Sequence, residues 1–314
     1  RKPQDGRTTM DIDHVEYDVR VSSIPTVYGE KIVMRLTNKE KLTRDKRELG
    51  LSDDDMKRFD QMLAHPHGII LVTGPTGSGK STTLYTALSE LNRETVNIVT
   101  VEDPVEANID GVNQIQVNPK ADMTFASALR SILRQDPDII MIGEIRDPET
   151  AEIAVQASIT GHLVASTLHT NSTSASIARL LNMGIEPYLM ADALVGVVAQ
   201  RLVRKLCRCK RGREATAQEK EELGVNQDEV LTIYEPAGCQ LCSQTGYFGR
   251  TAVYEMMPVT PELRWAITKM QPSSKVKEIA QREGMITLRG SAVRLVREGV
   301  TSLEEMKKIA SEED

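Results

Sequence analysis

Short runs of consecutive aliphatic residues alternate with amphipathic stretches through the middle of this chain. Gly68–Thr73, Val96–Val101, Ile139–Ile142 and Leu163–Leu168 read as buried strands. Lys80–Leu91, Phe125–Leu133 and Glu149–Ala157 read as the helices between them. Ser52, with Asp55 three residues on, reads as a helix N-cap leading into Met56–Leu63. Strands that lack a polar face and take turns with amphipathic helices imply an α/β fold, with a parallel sheet covered on both sides.

The two ends follow other rhythms. Near the start, Tyr17–Ser22 and Lys31–Leu36 alternate apolar with polar around the turn signal Ser23–Gly29, which predicts a hairpin. The charged stretch 38–48 predicts a linker between residues 1–37 and a core over 49–206. After Leu206 come four cysteines and a polar helix around Glu219–Glu222, so 207–242 reads as a separate small unit. The remainder, 243–314, reads as helical, with short helices over Pro261–Ala310 punctuated by Pro272, Gly284, Gly290 and Gly299.

Composition narrows the class. At 314 residues and 40% hydrophobic content the chain can bury a sizeable core, and at 4% aromatic content that core is aliphatic. The net charge, 39 − 45 = −6, argues against non-specific nucleic-acid binding, which calls for a basic face with stacking aromatics. No run reaches the roughly 20 apolar residues that span a bilayer. The polar start Arg1-Lys2-Pro3-Gln4 is no secretory signal, and the missing initiator Met reads as a fragment. These features together predict a soluble cytoplasmic protein.

The chemistry begins at Gly74-Pro75-Thr76-Gly77-Ser78-Gly79-Lys80-Ser81-Thr82, a full match to the Walker A phosphate loop between a strand and a helix. Its glycines let backbone N–H groups curl around phosphate oxygens, and the helix points its positive end at the same anion. Lys80 would neutralise the β- and γ-phosphates of ATP, and the Ser81 hydroxyl would hold Mg²⁺.

Two further strands end in carboxylates. Ile139–Ile142 runs through Gly143 to Glu144, the layout of a Walker B element, which places Glu144 on Mg²⁺ or its waters. Ile98–Val101 ends at Glu102, which could orient or deprotonate the attacking water. The spacing leaves open an exchange of roles between the two. His162 and His169 flank a third strand, and both are candidates for phosphate sensing.

Taken in order, these segments resemble the ATPases that power type II secretion and type IV pilus assembly. The phosphate loop, the "aspartate box" Thr100–Glu106, the Walker B segment Asp136–Asp147 and the "histidine box" Gly161–Asn171 carry the likeness. Asp18–Ser22 and Gly29–Arg35 resemble the end of that family's second N-terminal domain. The resemblance implies a RecA-like core, a partial PAS-like N-terminal domain and a homohexameric ring. It implies arginines from the N-terminal domain at the nucleotide, for which Arg20 and Arg35 match best. It also implies an inner-membrane platform protein as partner and a peripheral position at the inner-membrane face.

Cys207-x-Cys209 and Cys239-x-x-Cys242 suit a closed tetrahedral Zn²⁺ site, although the first pair is one residue shorter than the usual Cys-x-x-Cys. Assembly-type members resembled here carry such a site and retraction-type members generally lack it. The cysteines thus speak against a retraction motor; pilus assembly is the first expectation and type II secretion the alternative, and the sequence does not decide between these two. A RecA-like nucleic-acid motor and an ATP-gated binding module are more remote readings, set against the acidic balance and the two glutamates respectively.

Overall fold

The computed structural model describes residues 2–38 and 42–311, so part of the expected linker, 39–41, lies outside the described residues. The chain opens with an antiparallel sheet of three strands, β1 (Gln4–Ile12), β2 (Val15–Thr26) and β3 (Gly29–Asn38). The expected hairpin is present, but β2 and β3 are longer than expected and leave only Val27 and Tyr28 in the turn. β1 went unread because all nine of its residues are exposed, so no buried face leaves an alternating pattern.

The core follows. α1 (Asp53–Leu63) begins where Ser52 Oγ accepts from Asp55 N–H, as its N-cap pattern predicts. Then come β4 (Gly68–Thr73), α2 (Lys80–Leu91), β5 (Ile98–Glu102), β6 (Asn113–Gln116), α3 (Phe125–Ile132), β7 (Ile139–Ile142), α4 (Pro148–Ile159) and β8 (Leu163–Leu168). Beyond them lie α5 (Thr173–Asn182), α6 (Pro187–Ala193) and β9 (Leu194–Leu206). β10 (Arg211–Glu214), α7 (Ala217–Glu222) and β11 (Thr232–Glu235) make a small unit, followed by β12 (Tyr247–Pro258) and α8 to α11 (Pro261–Thr268, Ser273–Arg282, Leu288–Arg297, Leu303–Ala310).

Seven strands form the central sheet in the order β12-β9-β4-β8-β7-β5-β6. β9 through β6 run parallel, and β12 closes one edge antiparallel to β9. All six residues of β4 are buried, but successive side chains enter different cores. Ile69 and Leu71 join one apolar cluster with Leu129, Ile142 and Val164. Ile70 and Val72 join the other with Leu84, Leu88 and Ile98. Such two-sided burial erases polar alternation, which is why the strand reads as one aliphatic run.

Expectation and structure part company after Leu206. The segment 243–314, expected to be helical, opens with β12, which hydrogen-bonds to β9 along most of its length. An expected boundary at 206 therefore falls between two neighbours of one sheet, and 207–242 is an excursion between them. A third apolar cluster, including Val203, Ile233, Val253, Leu295 and Met306, packs that excursion and the last helices onto the sheet edge.

Candidate functional site

β4 ends at Thr73, and the chain turns through Gly74–Gly79 before α2 begins at Lys80. Gly79 has φ +90°, and a Cβ there would lie 2.8 Å from the Gln200 amide. A Cβ on Gly74 would lie 2.4 Å from Gln200 O on β9, so the loop can be this close only with glycine. Lys80 Nζ donates to Gly74 O (2.7 Å) and Pro75 O (3.1 Å). Burial holds its pKa below the ordinary lysine value; nearby Glu144 pulls upward and Arg201 downward. The Ser78 hydroxyl is buried without a hydrogen-bond partner.

The parallel strands carry the remaining candidates to the same sheet edge. A cavity of about 850 Å³ is lined by Thr76 through Thr82, Glu102, Glu144, His169, Arg20 and Arg35. Glu102 ends β5 and is buried. Its Oε1 accepts from Thr100 Oγ1 (2.6 Å) and Gln114 Nε2 (3.1 Å), and its Oε2 accepts from the Tyr85 hydroxyl. Glu144, just past β7, has Arg146 on one oxygen and His169 Nε2 at 3.3 Å from the other.

Arg20 and Arg35 are cross-strand partners on β2 and β3, which is how a separate small sheet presents two guanidiniums together. Asp18, buried on β2, pairs with Arg7 and with Arg20 Nε at 3.2 Å. Burial would raise the Asp18 pKa, but the two guanidiniums outweigh it and hold the carboxyl below its usual range. Arg7 also donates to Val105 O (3.1 Å), fastening the small sheet to the loop after β5.

His162 needs correction. It precedes β8, whereas His169 follows it, so the two lie at opposite edges of the sheet, roughly 20 Å apart at strand rise. His162 Nδ1 lies 2.8 Å from Ala157 O and the residue does not line the cavity. Only His169 faces the phosphate loop.

Several lining residues escaped the sequence reading. Tyr85 reads as an ordinary apolar-face position of α2. Arg250 lies on β12, and Arg44 lies in the expected linker; both line the cavity. Behind the loop, Arg201 on β9 is buried, and its Nη2 donates to Asn171 O (3.2 Å) and Oδ1 (3.1 Å). Glu255, buried on β12, accepts from Thr173 N (2.9 Å) and Oγ1 (2.6 Å) at the start of α5. No short motif marks Arg201, Arg250 or Glu255, because β9 and β12, unread in sequence, bring them in.

The four cysteines converge as their spacing predicts, with all sulfurs within 4.8 Å of one another. Sγ–Sγ distances are 3.8 Å for Cys207–Cys239, 3.9 Å for Cys209–Cys242 and 3.7 Å for Cys239–Cys242. Zn–S bonds of about 2.3 Å set tetrahedral S···S edges of about 3.8 Å, so the cluster fits zinc, and the shortened pair expels no sulfur. Burial raises the Cys242 pKa, but N–H groups of Cys239 (3.1 Å) and Gly246 (3.2 Å) outweigh it and draw the thiol down to about 6. Burial and the neighbouring thiols push Cys209 up to about 11.

The chain is 49% identical over 312 residues to "Putative type II secretion system protein E" of Escherichia coli, spanning 99% of this chain and 63% of that protein. It is 49% identical over 313 residues to "Type II secretion system ATPase E" of Vibrio cholerae, spanning 99% of this chain and 62% of that protein. It thus covers a little over three fifths of these relatives' length. Among solved structures, the Legionella pneumophila ATPase DotB superposes with a TM-score of 0.73 at 22% identity, over 99% of this chain and 78% of its own, a likeness of fold. The pilus retraction motor PilT with bound ADP superposes with a TM-score of 0.71 at 27% identity, over 97% and 77%. With the phosphate loop, the paired carboxylates and this sheet order already in place, a family model described as "Type II/IV secretion system protein" matches residues 1–308, and the chain belongs to that family.

Proposed function

We propose that this chain is the ATP-hydrolysing part of a type II secretion motor. The convergence of Lys80, Ser81, Glu102, Glu144, Arg20 and Arg35 on one cavity carries the reading. The four cysteines led first to an assembly-type motor, with type IV pilus assembly as the first expectation. Relatives 49% identical that are named for type II secretion support the alternative instead.

Each residue has a distinct task. Backbone N–H groups of Thr76, Gly77, Ser78, Gly79 and Thr82 with Lys80 cradle the phosphates, while Gly74, whose N–H donates to Leu168 O (3.4 Å), and Pro75, which has no N–H, form the turn that opens the loop. Ser81 and Glu144 would hold Mg²⁺, which when bound neutralises phosphate charge. Glu102 orients and deprotonates the attacking water. Three donors occupy its carboxylate, which leaves about one of four lone-pair sites for that water. Glu144, facing Arg146 and His169, suits the metal side rather than the base. Arg20 and Arg35 reach the nucleotide from the small sheet, so hydrolysis is felt as a change in its docking on the core. The four cysteines hold a structural zinc ion.

The working form is a homohexamer, cytoplasmic and peripheral at the inner-membrane face, acting on a membrane platform protein and not on nucleic acid. A small PAS-like sheet set against a RecA-like core is the mechanical unit.

The test is complementation of a strain that lacks its type II secretion ATPase. The full-length protein is expected to restore secretion, while Lys80→Ala loses both phosphate release and secretion yet keeps its zinc content. Restored pilus extension without secretion would return the reading to pilus assembly. DNA-stimulated hydrolysis would favour a nucleic-acid motor.

A further inference from the structure

We propose that Tyr85 is a positioning residue for Glu102, an inference that rests on the reading of Glu102 as the residue that activates water. Tyr85 lies on α2, five residues after Lys80, and is fully buried. Its hydroxyl donates to Glu102 Oε2 and accepts from Glu106 N–H at 3.2 Å. Both sides of the hydroxyl are therefore engaged, and its rotor is fixed.

The other two donors to Glu102, Thr100 and Gln114, come from β5 and β6, the strand itself and its edge neighbour. Tyr85 alone among the three comes from the helix that starts at the phosphate loop. A single rigid helix thus sets Lys80 at its first residue and the carboxylate of Glu102 through its sixth. Any shift of α2 relative to β5 moves the carboxylate against the phosphates. A base displaced by a fraction of an ångström loses its alignment with the water, so the bond contributes to turnover rather than to nucleotide affinity.

The experiment is steady-state hydrolysis by the full-length protein carrying Tyr85→Phe, which removes one oxygen and keeps the ring packed. The expected result is a fall in kcat of about tenfold or more, with the KM for MgATP within about twofold. In a Glu102→Gln background, adding Tyr85→Phe is expected to change kcat by less than about twofold, because the two residues act as one unit. An unchanged kcat for Tyr85→Phe would overturn the proposal. So would an equal fall in both backgrounds, which would assign the tyrosine to the fold. Full activity in Glu102→Gln alone would instead overturn the reading of Glu102, and the proposal with it. Should Tyr85→Phe not fold, 3-fluorotyrosine at position 85 keeps the donor. Its more acidic hydroxyl binds Glu102 more tightly and weakens the carboxylate as a base, so kcat is expected to fall by about threefold with KM unchanged, and an unchanged kcat would overturn the proposal.

Discussion

Stripping metal from the cysteine cluster tests the zinc site and its structural role together. The three measured sulfur separations of 3.7 to 3.9 Å already match the edges of a zinc tetrahedron, so binding requires little rearrangement. The cluster ties the end of β9 to the start of β12 across the excursion of β10, α7 and β11, where Cys207 N–H also donates to Gly246 O (2.9 Å). Losing a ligand that binds only the folded state removes RT ln(1 + [L]/Kd), about 4 kcal/mol at free zinc a thousandfold above Kd. Near the large end of single domains about 2 °C accompanies each kcal/mol, so the melting temperature should drop by about 8 °C. Elemental analysis should find one zinc per chain. Calorimetry with and without a strong chelator should show the drop, reversed by added zinc, and Cys209→Ser should reproduce it without chelator. A metal-free protein whose melt ignores both chelator and Cys209→Ser would refute the argument and leave four free thiols, of which Cys207 and Cys242 are buried.

Two further expectations concern the fold around the site. Gly79→Ala forces a side chain into φ +90° and against Gln200, at about 1–2 kcal/mol for the left-handed backbone alone; denaturant unfolding should register at least that loss, and nucleotide-binding titration a weaker affinity. Glu305, buried on α11, accepts from Arg204 N (2.9 Å) and pairs with the guanidinium at 2.9 Å. Burial would raise its pKa, but Arg204 and Lys308 hold it below the ordinary glutamate range. A depressed carboxylate contributes stability that is present above its unfolded pKa of about 4.3 and lost as pH falls through the folded value. Stability should therefore decline on acidification below about pH 4.5, and Glu305→Gln should flatten that decline in pH-dependent urea unfolding.

Local chemistry made much of the site legible in advance. The phosphate loop needs glycines, a lysine and a hydroxyl within nine consecutive residues, so nothing distant was required to see it. β4, β7 and β8 were readable to within a residue because their burial is dictated by their own apolar runs. The cysteine pairs were readable because metal chemistry restricts their spacing, and even the shortened Cys207-x-Cys209 pair closes the cluster. Family membership was legible too, because the motifs that carry it lie in short local stretches between Gly74 and Asn171. The proposal of type II secretion over pilus assembly rests on similarity along the chain to relatives named for type II secretion.

What sequence could not supply is direction and pairing. His162 and His169 look equivalent in the chain, yet a strand has two ends and a parallel sheet binds phosphates at one of them. β12 carries polar residues and follows a long excursion, so only its hydrogen bonds to β9 reveal that it completes the core sheet. The partnership of Tyr85 with Glu102 crosses from a helix to a strand, where no periodicity can register it. The sequence by itself determined which groups could meet phosphate and metal. Tertiary packing decided which of them share one cavity, because sheet order and strand direction fix the edge at which side chains distant in the chain converge.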